Sequence, residues 1–358
     1  MAALFTAKEF DKGMKDRFRS ALLGTALGDA WGYPYQTPPQ PERTPLPESL
    51  VISDDTQMTL ALCAAMSDID DGDLDREEGM QAIGEHFLKY HSDPDYDRSP
   101  GASTTESLER LSQLGTEHWD DVATHSGGSG AVMRVAASAL LAPSDQGVGW
   151  SVLQGILTHD SGVARAACAM LACMMAARKG ANLLNVAEGL AGDENFDNDS
   201  LLTNQEKSDI LQDLDTALIT DLTGPDVPLS ELISRVNAVH EHLNPFLQQG
   251  DFEELYRNSR KFVQILGRGW DAGSCTASAL LLAQLYLDNQ DQYAPHDFLH
   301  VAVNWPGNRN TRASLTGALI GSHLKGGVDD WEETREYHFE SRYDDAVHCG
   351  VWKGFNAR

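Results

Sequence analysis

Apolar residues recur at spacings of three and four along most of the chain, and alternating patterns rich in β-branched residues are scarce. The first spacing places apolar side chains on one face of an α-helix, whereas alternation would indicate a strand. The sequence therefore predicts an all-α protein. The predicted helices lie near residues 18–29, 56–66, 78–91, 105–114, 131–141, 163–177, 208–219, 229–242, 252–266, 274–287, 296–304 and 311–324.

No Pro/Ser-rich linker or low-complexity segment divides this series of helices. We therefore predict a single large helical domain over residues 1–331, followed by an irregular tail over 332–358. The acidic stretch 192–200 and the segment 223–228 are rich in residues that favour turns, so both are predicted to be exposed loops or hinges.

Charge, apolar run length and cysteine content limit the classes of partner and the location expected for this protein. The 358 residues include 54 Asp and Glu against 27 Lys and Arg, a formal net charge of −27, which argues against nucleic acid as a partner. The longest apolar run, 166–177, is shorter than the roughly 20 residues that span a bilayer, so no membrane segment is expected. The five cysteines form no CxxC pair and the first residues do not form a signal peptide, so free thiols and a cytoplasmic location are predicted.

The sequence Ser53-Asp54-Asp55-Thr56 opens a predicted helix. Two adjacent carboxylates flanked by hydroxyl groups supply the hard oxygen ligands that Mg²⁺ prefers. The same residues are also favoured at a helix N-terminus, where they cap backbone N–H groups and complement the helix dipole. The motif taken alone leaves both interpretations open.

Small-residue loops precede two other helices. Residues 127–130 read Gly-Gly-Ser-Gly, residues 100–105 read Pro-Gly-Ala-Ser-Thr-Thr, and each could be a flexible turn or a cradle for a phosphorylated ligand. His159 precedes the helix 163–177 and is either a ligand donor or a structural histidine. The polar turn at 304–311 leads into a helix of small residues, with Asn310 as a candidate N-cap.

Taken together, these segments resemble the ADP-ribosylglycohydrolase family, which includes dinitrogenase reductase-activating glycohydrolase. The resemblance covers roughly nine-tenths of the chain, from Asp16 to about Gly326, with its motifs in the family's order. The motifs are the opening helix with Gly28-Asp29-Ala30 and Gly32-Tyr33-Pro34, the Ser-Asp-Asp-Thr-x-Met-Thr run 53–59, the Gly-x-Gly-Ala-x-Met-Arg element 128–134, Thr158-His159, and Gly267-x-Gly-Trp270.

The resemblance implies an all-α domain with a central cleft that holds two Mg²⁺ ions and the ADP-ribosyl group. At the family's second acidic motif, however, this chain has Asn308 and Asn310 with Arg309 between them, and Gln36 replaces an early Glu. Each change keeps an oxygen atom but removes a negative charge. We therefore expect one Mg²⁺ ion in preference to two, with a metal-free site as the alternative.

The resemblance also assigns candidate roles to individual residues. The predicted catalytic residues are Asp54, Asp55 and Gln36; the predicted substrate-binding residues are Gly101, Ser103, Gly128, Ser129, Gly130, Met133, His159 and Asn310; and the predicted metal ligands are Ser53, Asp54, Asp55, Asn308, Asn310 and Thr311.

Three functions follow from the resemblance and its departures. The first is a Mg²⁺-dependent hydrolase that removes ADP-ribose from a modified side chain, with the N-glycosidic bond to arginine favoured. The second is a catalytically impaired pseudoenzyme that binds ADP-ribose or an ADP-ribosylated protein. The third is an immunity or interaction protein whose partner is a toxin or another protein.

Overall fold

The computed structural model describes residues 7–36, 43–72, 74–143, 145–332, 337–350, 352 and 354–355. Within these residues the structure is almost entirely helical, which confirms the all-α prediction. The helices are α1 (Ala7–Gly32), α2 (Asp54–Gly72), α3 (Arg76–His91), α4 (Ala102–Leu114), α5 (Val135–Leu141), α6 (Gly147–Ile156), α7 (Gly162–Ala176), α8 (Leu183–Glu188), α9 (Glu194–Asp197), α10 (Asn204–Thr216), α11 (Leu229–Gln248), α12 (Glu254–Arg257), α13 (Ser259–Leu266), α14 (Ala272–Asn289), α15 (Pro295–Asn304), α16 (Arg309–His323), α17 (Asp329–Glu332) and α18 (Asp344–Cys349).

A small antiparallel sheet joins β1 (Leu218–Ile219) to β2 (Val227–Pro228). The helix predicted over 208–219 therefore ends at Thr216, because Ile219 is buried and pairs with Val227. The segment 223–228 connects the two strands and ends in the second. Four short 3₁₀ helices complete the described secondary structure: Tyr33–Tyr35, Thr116–His118, Ser129–Ala131 and Leu190–Gly192.

Two segments predicted to lack regular structure contain short helices. The acidic stretch 192–200 is exposed over most of its length, as predicted, but it contains α9 and buries Phe196 and Asp199. The Asp199 carboxylate accepts the Gly149 N–H at 2.8 Å, so this side chain stabilises the start of α6. The tail, predicted to be irregular, contains α18, and its buried Tyr343 packs on the body of the protein. The extent of the single domain, 1–331, stays a prediction.

The core is built on α1, α14 and α16. Every described residue of α16 is buried, and α1 runs antiparallel to it. Their backbones approach closely because glycines face each other: a Cβ atom added to Gly317 would lie 2.0 Å from the Gly24 carbonyl oxygen, and one added to Gly32 would lie 2.4 Å from Asn310 Cα. This contact brings the end of α1 against the start of α16.

None of the described helices combines the length and apolar character needed to cross a membrane. The five cysteines are unpaired, as predicted; four of them are buried and Cys349 is exposed.

Candidate functional site

Three buried carboxyl groups meet where α1 ends and α2 begins. Asp29 belongs to the last turn of α1, and Asp54 and Asp55 form the first turn of α2. All three are buried; the most exposed, Asp54, has only 6% of its surface accessible. We call Asp29, Asp54 and Asp55 the carboxylate cluster.

Asp29 caps α2 from outside that helix. Its Oδ2 accepts the backbone N–H groups of Ser53 at 2.8 Å and Thr56 at 3.2 Å, and also the Thr56 hydroxyl at 2.6 Å. Its Oδ1 accepts the Ser53 hydroxyl at 2.5 Å. The capping interpretation of the motif 53–56 is therefore correct in part, but the main capping group comes from α1.

Replacing Asp29 by Ala is expected to lower the free energy of unfolding by about 3 kcal/mol, because it leaves several buried donors without an acceptor. Urea unfolding checks this. The matched control is Asp75→Ala, which removes an exposed cap that accepts a single backbone N–H in α3 and should cost about 1 kcal/mol. Equal losses in the two variants would contradict the assigned role of Asp29.

Asn310, at the start of α16, faces the carboxylate cluster through its amide nitrogen. Nδ2 donates to Asp55 Oδ2 at 2.9 Å and to Ser53 Oγ at 3.0 Å. On its other side, Asn310 Oδ1 accepts the amide group of Gln36, which follows the 3₁₀ helix 33–35. The Thr311 hydroxyl also donates a hydrogen bond to Asp55 Oδ2 at 3.2 Å. One oxygen of Asp55 is therefore well supplied with donors.

The other oxygen of Asp55, Oδ1, is buried and has no hydrogen-bond partner among the described residues. Burial raises the pKa of Asp55 well above its usual value, and the neighbouring charges of Asp29 and Asp54 raise it further. Burial also raises the pKa of Asp54 well above the usual range, with Asp29 adding to the shift. The cluster would therefore be stabilised by a proton or by a bound cation.

Asn308, two positions before Asn310, contacts the glycine-rich loop. Its Nδ2 donates to Ser129 Oγ at 3.1 Å, and its Oδ1 is buried with no partner among the residues that the structure describes. Two N–H groups of the loop are already used within the protein: Gly128 donates to Ser126 Oγ at 3.1 Å and Ser129 donates to the Trp270 carbonyl at 3.0 Å. An anion at this loop would therefore need other donors.

His159 provides such a donor beside the loop. The Thr158 hydroxyl accepts from Arg134 at 2.6 Å and lies 2.8 Å from His159 Nδ1. Where this hydroxyl donates to Nδ1, the hydrogen of the neutral ring is on Nε2, which lies 3.0 Å from where a Gly130 Cβ would be. Burial, assisted by the charge of Arg134, lowers the pKa of His159 to about 3, so the ring stays neutral at physiological pH.

The remaining predicted substrate residues lie around these two centres. Gly101 is the N-cap of α4, and its backbone opposes the rise in the pKa of Asp54. Ser103 lies in the first turn of α4 and is half-buried. Met133 is buried in the hydrophobic core, and its carbonyl accepts the Thr59 hydroxyl at 3.4 Å. The structure thus surrounds the cluster and loop with the predicted residues, while Met133 contributes packing.

Sequence reasoning missed Asp29, Thr104 and Trp270 as site residues. Thr104 has a buried hydroxyl without a partner, 3.2 Å from where a Gly130 Cβ would lie. Trp270 is 51% exposed, although its carbonyl is bound to the glycine-rich loop. A single acidic residue in the otherwise uncharged second half of α1, residues 20–32, is the signal that could have identified Asp29.

The oxygen atoms present suit one hard cation better than two. Asp54, Asp55 and the unpartnered Oδ1 of Asn308 are ligands of the kind that Mg²⁺ prefers. A second cation between Asp55 and Asn310 would meet the hydrogen atoms of the Asn310 amide nitrogen. Among the described residues, no group of three or more His, Cys, Asp and Glu side chains is arranged to hold a metal ion, so hydroxyl and amide oxygens would have to contribute.

Two cavities lie along α1. One of about 400 Å³ has Gln36, Val51 and Ser99 in its wall, together with Ala30, which follows Asp29 in α1. A larger cavity of about 1130 Å³ lies towards the other end of α1 and is lined by several arginine and lysine side chains. Of these, Arg17 donates to the Ala177 carbonyl at 2.8 Å and Lys179 donates to the Leu324 carbonyl. They cap the ends of α7 and α16, which explains their position without a ligand.

The comparison with family models agrees with the resemblance found in the sequence. The family model described as ADP-ribosylglycohydrolase matches residues 11–339. A search of the curated proteins finds no match. A solved structure described as an "ADP-ribosylglycohydrolase-related protein complex" is similar to this chain, with 20% sequence identity, 96% of this chain and 99% of the other covered, and a TM-score of 0.49.

Proposed function

Because the chain belongs to the ADP-ribosylglycohydrolase family, we propose that it binds the ADP-ribosyl group and hydrolyses its N-glycosidic bond to a modified arginine, with one Mg²⁺ ion. The observation that carries this proposal is the buried and unpartnered Asp55 Oδ1 within the carboxylate cluster. A buried carboxylate oxygen without a donor is costly unless a ligand, a cation or water satisfies it.

Asp54 and Asp55 would hold the Mg²⁺ ion, with Ser53, Thr311 and Asn308 as nearby oxygen donors. When bound, the ion would supply Lewis-acid orientation of the ribose hydroxyls and activation of water. Asp29 acts one step further away, since it fixes Ser53 and Thr56 and so the direction of the first turn of α2. Gln36 fixes the orientation of the Asn310 amide.

The chain's neutral donors suit the rest of the ligand. The Nε2–H of His159, in the tautomer whose Nδ1 accepts from Thr158, would donate to a phosphate or ribose oxygen, and burial keeps the ring neutral across the physiological pH range. The exposed indole of Trp270, held beside the glycine-rich loop, offers an aromatic face on which a base could stack.

A second function, binding without hydrolysis, is favoured by the contact between Asn310 Nδ2 and Asp55 Oδ2. In this arrangement a neutral amide partly replaces the stabilisation that a second cation would give. The loss of one positive charge next to the scissile bond would slow the reaction while leaving the cleft able to hold ADP-ribose.

Two measurements on the wild-type chain test the proposal. We expect ADP-ribose and Mg²⁺ together to raise Tm, and ADP-ribose to be released from ADP-ribosylated arginine at high protein concentration. Asp55→Asn should abolish the response to Mg²⁺. The matched control is Asp199→Asn, which alters a buried carboxylate that accepts backbone N–H groups of Gly149, Leu201 and Leu202 and should keep the response.

The results separate the candidate functions. Binding of ADP-ribose without any release would support the second function and exclude the first. If neither Mg²⁺ nor ADP-ribose changes Tm, both are excluded, and the interaction role with a toxin or another protein would remain.

A further inference from the structure

The C-terminal part of the chain lies against the start of α2. We define the C-terminal strap as the described residues 337–350, 352 and 354–355. We propose that this strap is a positioning element for Asp54 and that it acts through the ion pair between Glu340 and Arg98; the inference rests on the ligand-binding role of Asp54 proposed above.

The strap contacts the chain on both sides of the motif 53–56. Before the motif, Phe339 forms a parallel bridge with Leu50. After it, the Tyr343 hydroxyl accepts the side-chain amide of Gln57 at 3.0 Å. Tyr343 and Gln57 are both fully buried, so this contact is shielded from water. The strap therefore borders the segment that carries Asp54.

Arg98 connects the strap to the backbone around Asp54. Its guanidinium group pairs with both carboxylate oxygens of Glu340, with Nη2 to Oε1 at 2.9 Å. The other guanidinium nitrogen, Nη1, pairs with Glu340 Oε2 and also donates to the Ile52 carbonyl at 3.1 Å. The Arg98 carbonyl in turn accepts the Asp54 N–H at 3.2 Å. Arg98 thus holds the backbone on both sides of Ser53, and Glu340 holds Arg98.

Backbone strain next to Arg98 indicates why such support is needed. Ser99 has φ of 63°, and it is the one non-glycine residue with positive φ in the part of the chain that the structure describes. This conformation costs on the order of 1 kcal/mol or more and persists only where surrounding contacts impose it. Ser99 also lies in the wall of the cavity that contains Gln36. The strain is therefore located at the candidate site.

The strap has anchors that do not involve Glu340. Arg342 pairs with Asp93 and with Asp95 Oδ2 at 2.8 Å. Phe355 packs edge-on against Tyr90, with ring centroids 5.7 Å apart. A substitution at Glu340 should therefore weaken the link to Arg98 while the strap stays attached.

The family match does not account for Glu340. It ends at residue 339, so Glu340 and Tyr343 both lie outside it. The positioning role assigned to the strap is thus a property of this chain's own residues.

The test compares Glu340→Gln with Glu206→Gln. Glu206 forms a similar two-bond pair with Arg76, at 2.7 and 3.1 Å. That pair is more exposed than the pair of Arg98 and Glu340, and Glu206 also accepts the Thr203 N–H at 2.9 Å. Three quantities are measured: Tm, hydrogen exchange at the Asp54 amide, and affinity for ADP-ribose with Mg²⁺. We expect similar falls in Tm for both variants. Glu340→Gln alone should raise the Asp54 exchange rate by about tenfold or more and weaken binding several-fold.

Equal exchange rates and equal affinities in the two variants would overturn the proposal. Faster exchange at Asp54 with unchanged affinity would also overturn it, since the strap would then support the fold but not the site. If Glu340→Gln does not fold, Glu340→Asp shortens the side chain, weakens the same pair with Arg98 and is expected to give the same pattern at smaller size. If the wild type binds no ADP-ribose, the proposed function fails, and exchange at Asp54 still decides whether Glu340 holds that residue.

Discussion

Replacing Asn308 and Asn310 together by Asp is expected to make the stability of the protein depend on Mg²⁺. The Asn310 amide nitrogen lies within 3.0 Å of both Asp55 Oδ2 and Ser53 Oγ. A carboxylate oxygen in its place would face these oxygens without a hydrogen atom between them. The double variant should therefore lose roughly 2–5 kcal/mol of stability in the absence of a cation.

Mg²⁺ should reverse this loss. Two unit charges about 4 Å apart interact by about 4 kcal/mol at an effective dielectric constant of 20, so each restored carboxylate adds a large attraction for a divalent ion. We expect Mg²⁺ to bind on the order of 100-fold or more tightly than in the wild type. Thermal unfolding with and without Mg²⁺, together with isothermal titration, measures both effects.

The matched control for this experiment is Asn289→Asp. Asn289 is also buried, and its amide nitrogen donates to Asn244 and to the Leu285 carbonyl, far along α14. This variant should be destabilised without recovery in Mg²⁺. Recovery in both variants, or in neither, would show that the amides at 308 and 310 do not occupy the place of a cation. More ADP-ribose release by the double variant than by the wild type would show that negative charge at 308 and 310 promotes hydrolysis.

Gly317→Ala is expected to be severely destabilising although it adds a single methyl group. The new Cβ would lie 2.0 Å from the Gly24 carbonyl oxygen, and neither helix backbone can move without disturbing the core. We expect the free energy of unfolding to fall by at least about 3 kcal/mol. Urea unfolding, followed by circular dichroism, measures this loss.

A glycine in the other partner of this helix pair provides the control. No atom lies within 4 Å of the position of a Gly13 Cβ in α1. Gly13→Ala should therefore stabilise the protein slightly, by about 0.5–1 kcal/mol, because alanine loses less conformational freedom on entering a helix. A wild-type stability for Gly317→Ala would mean that α1 and α16 lie further apart than described.

Periodicity and motif order were sufficient to predict the fold class and most of the helices. The boundaries that failed did so where tertiary contacts outweigh local preference. Residues 218–219 join a strand because Ile219 has a buried partner in Val227, and the acidic stretch folds because Asp199 finds backbone donors on α6. Local sequence contains no information about such distant partners.

The candidate site was predictable only in part for the same reason. The motif 53–56 and the asparagines at 308 and 310 were visible as residue types at fixed spacing. The capping role of Asp29, the direction of the Asn310 amide and the link from Glu340 to Arg98 depend on side chains far apart in sequence. These roles require three-dimensional coordinates.

The close pairing of α1 and α16 also has a consequence for biosynthesis. Asp29 and Asn310, which meet in this pairing, are separated by 281 positions in the chain. Bringing such distant segments together carries a loop-closure cost that local helices do not share. Before Asn310 has been synthesised, a ribosome-bound chain therefore contains Asp29, Asp54 and Asp55 but not the amide group of Asn310 that contacts them. The carboxylate cluster should be among the last parts of the molecule to reach its final environment, and α1 has to remain available until α16 has emerged.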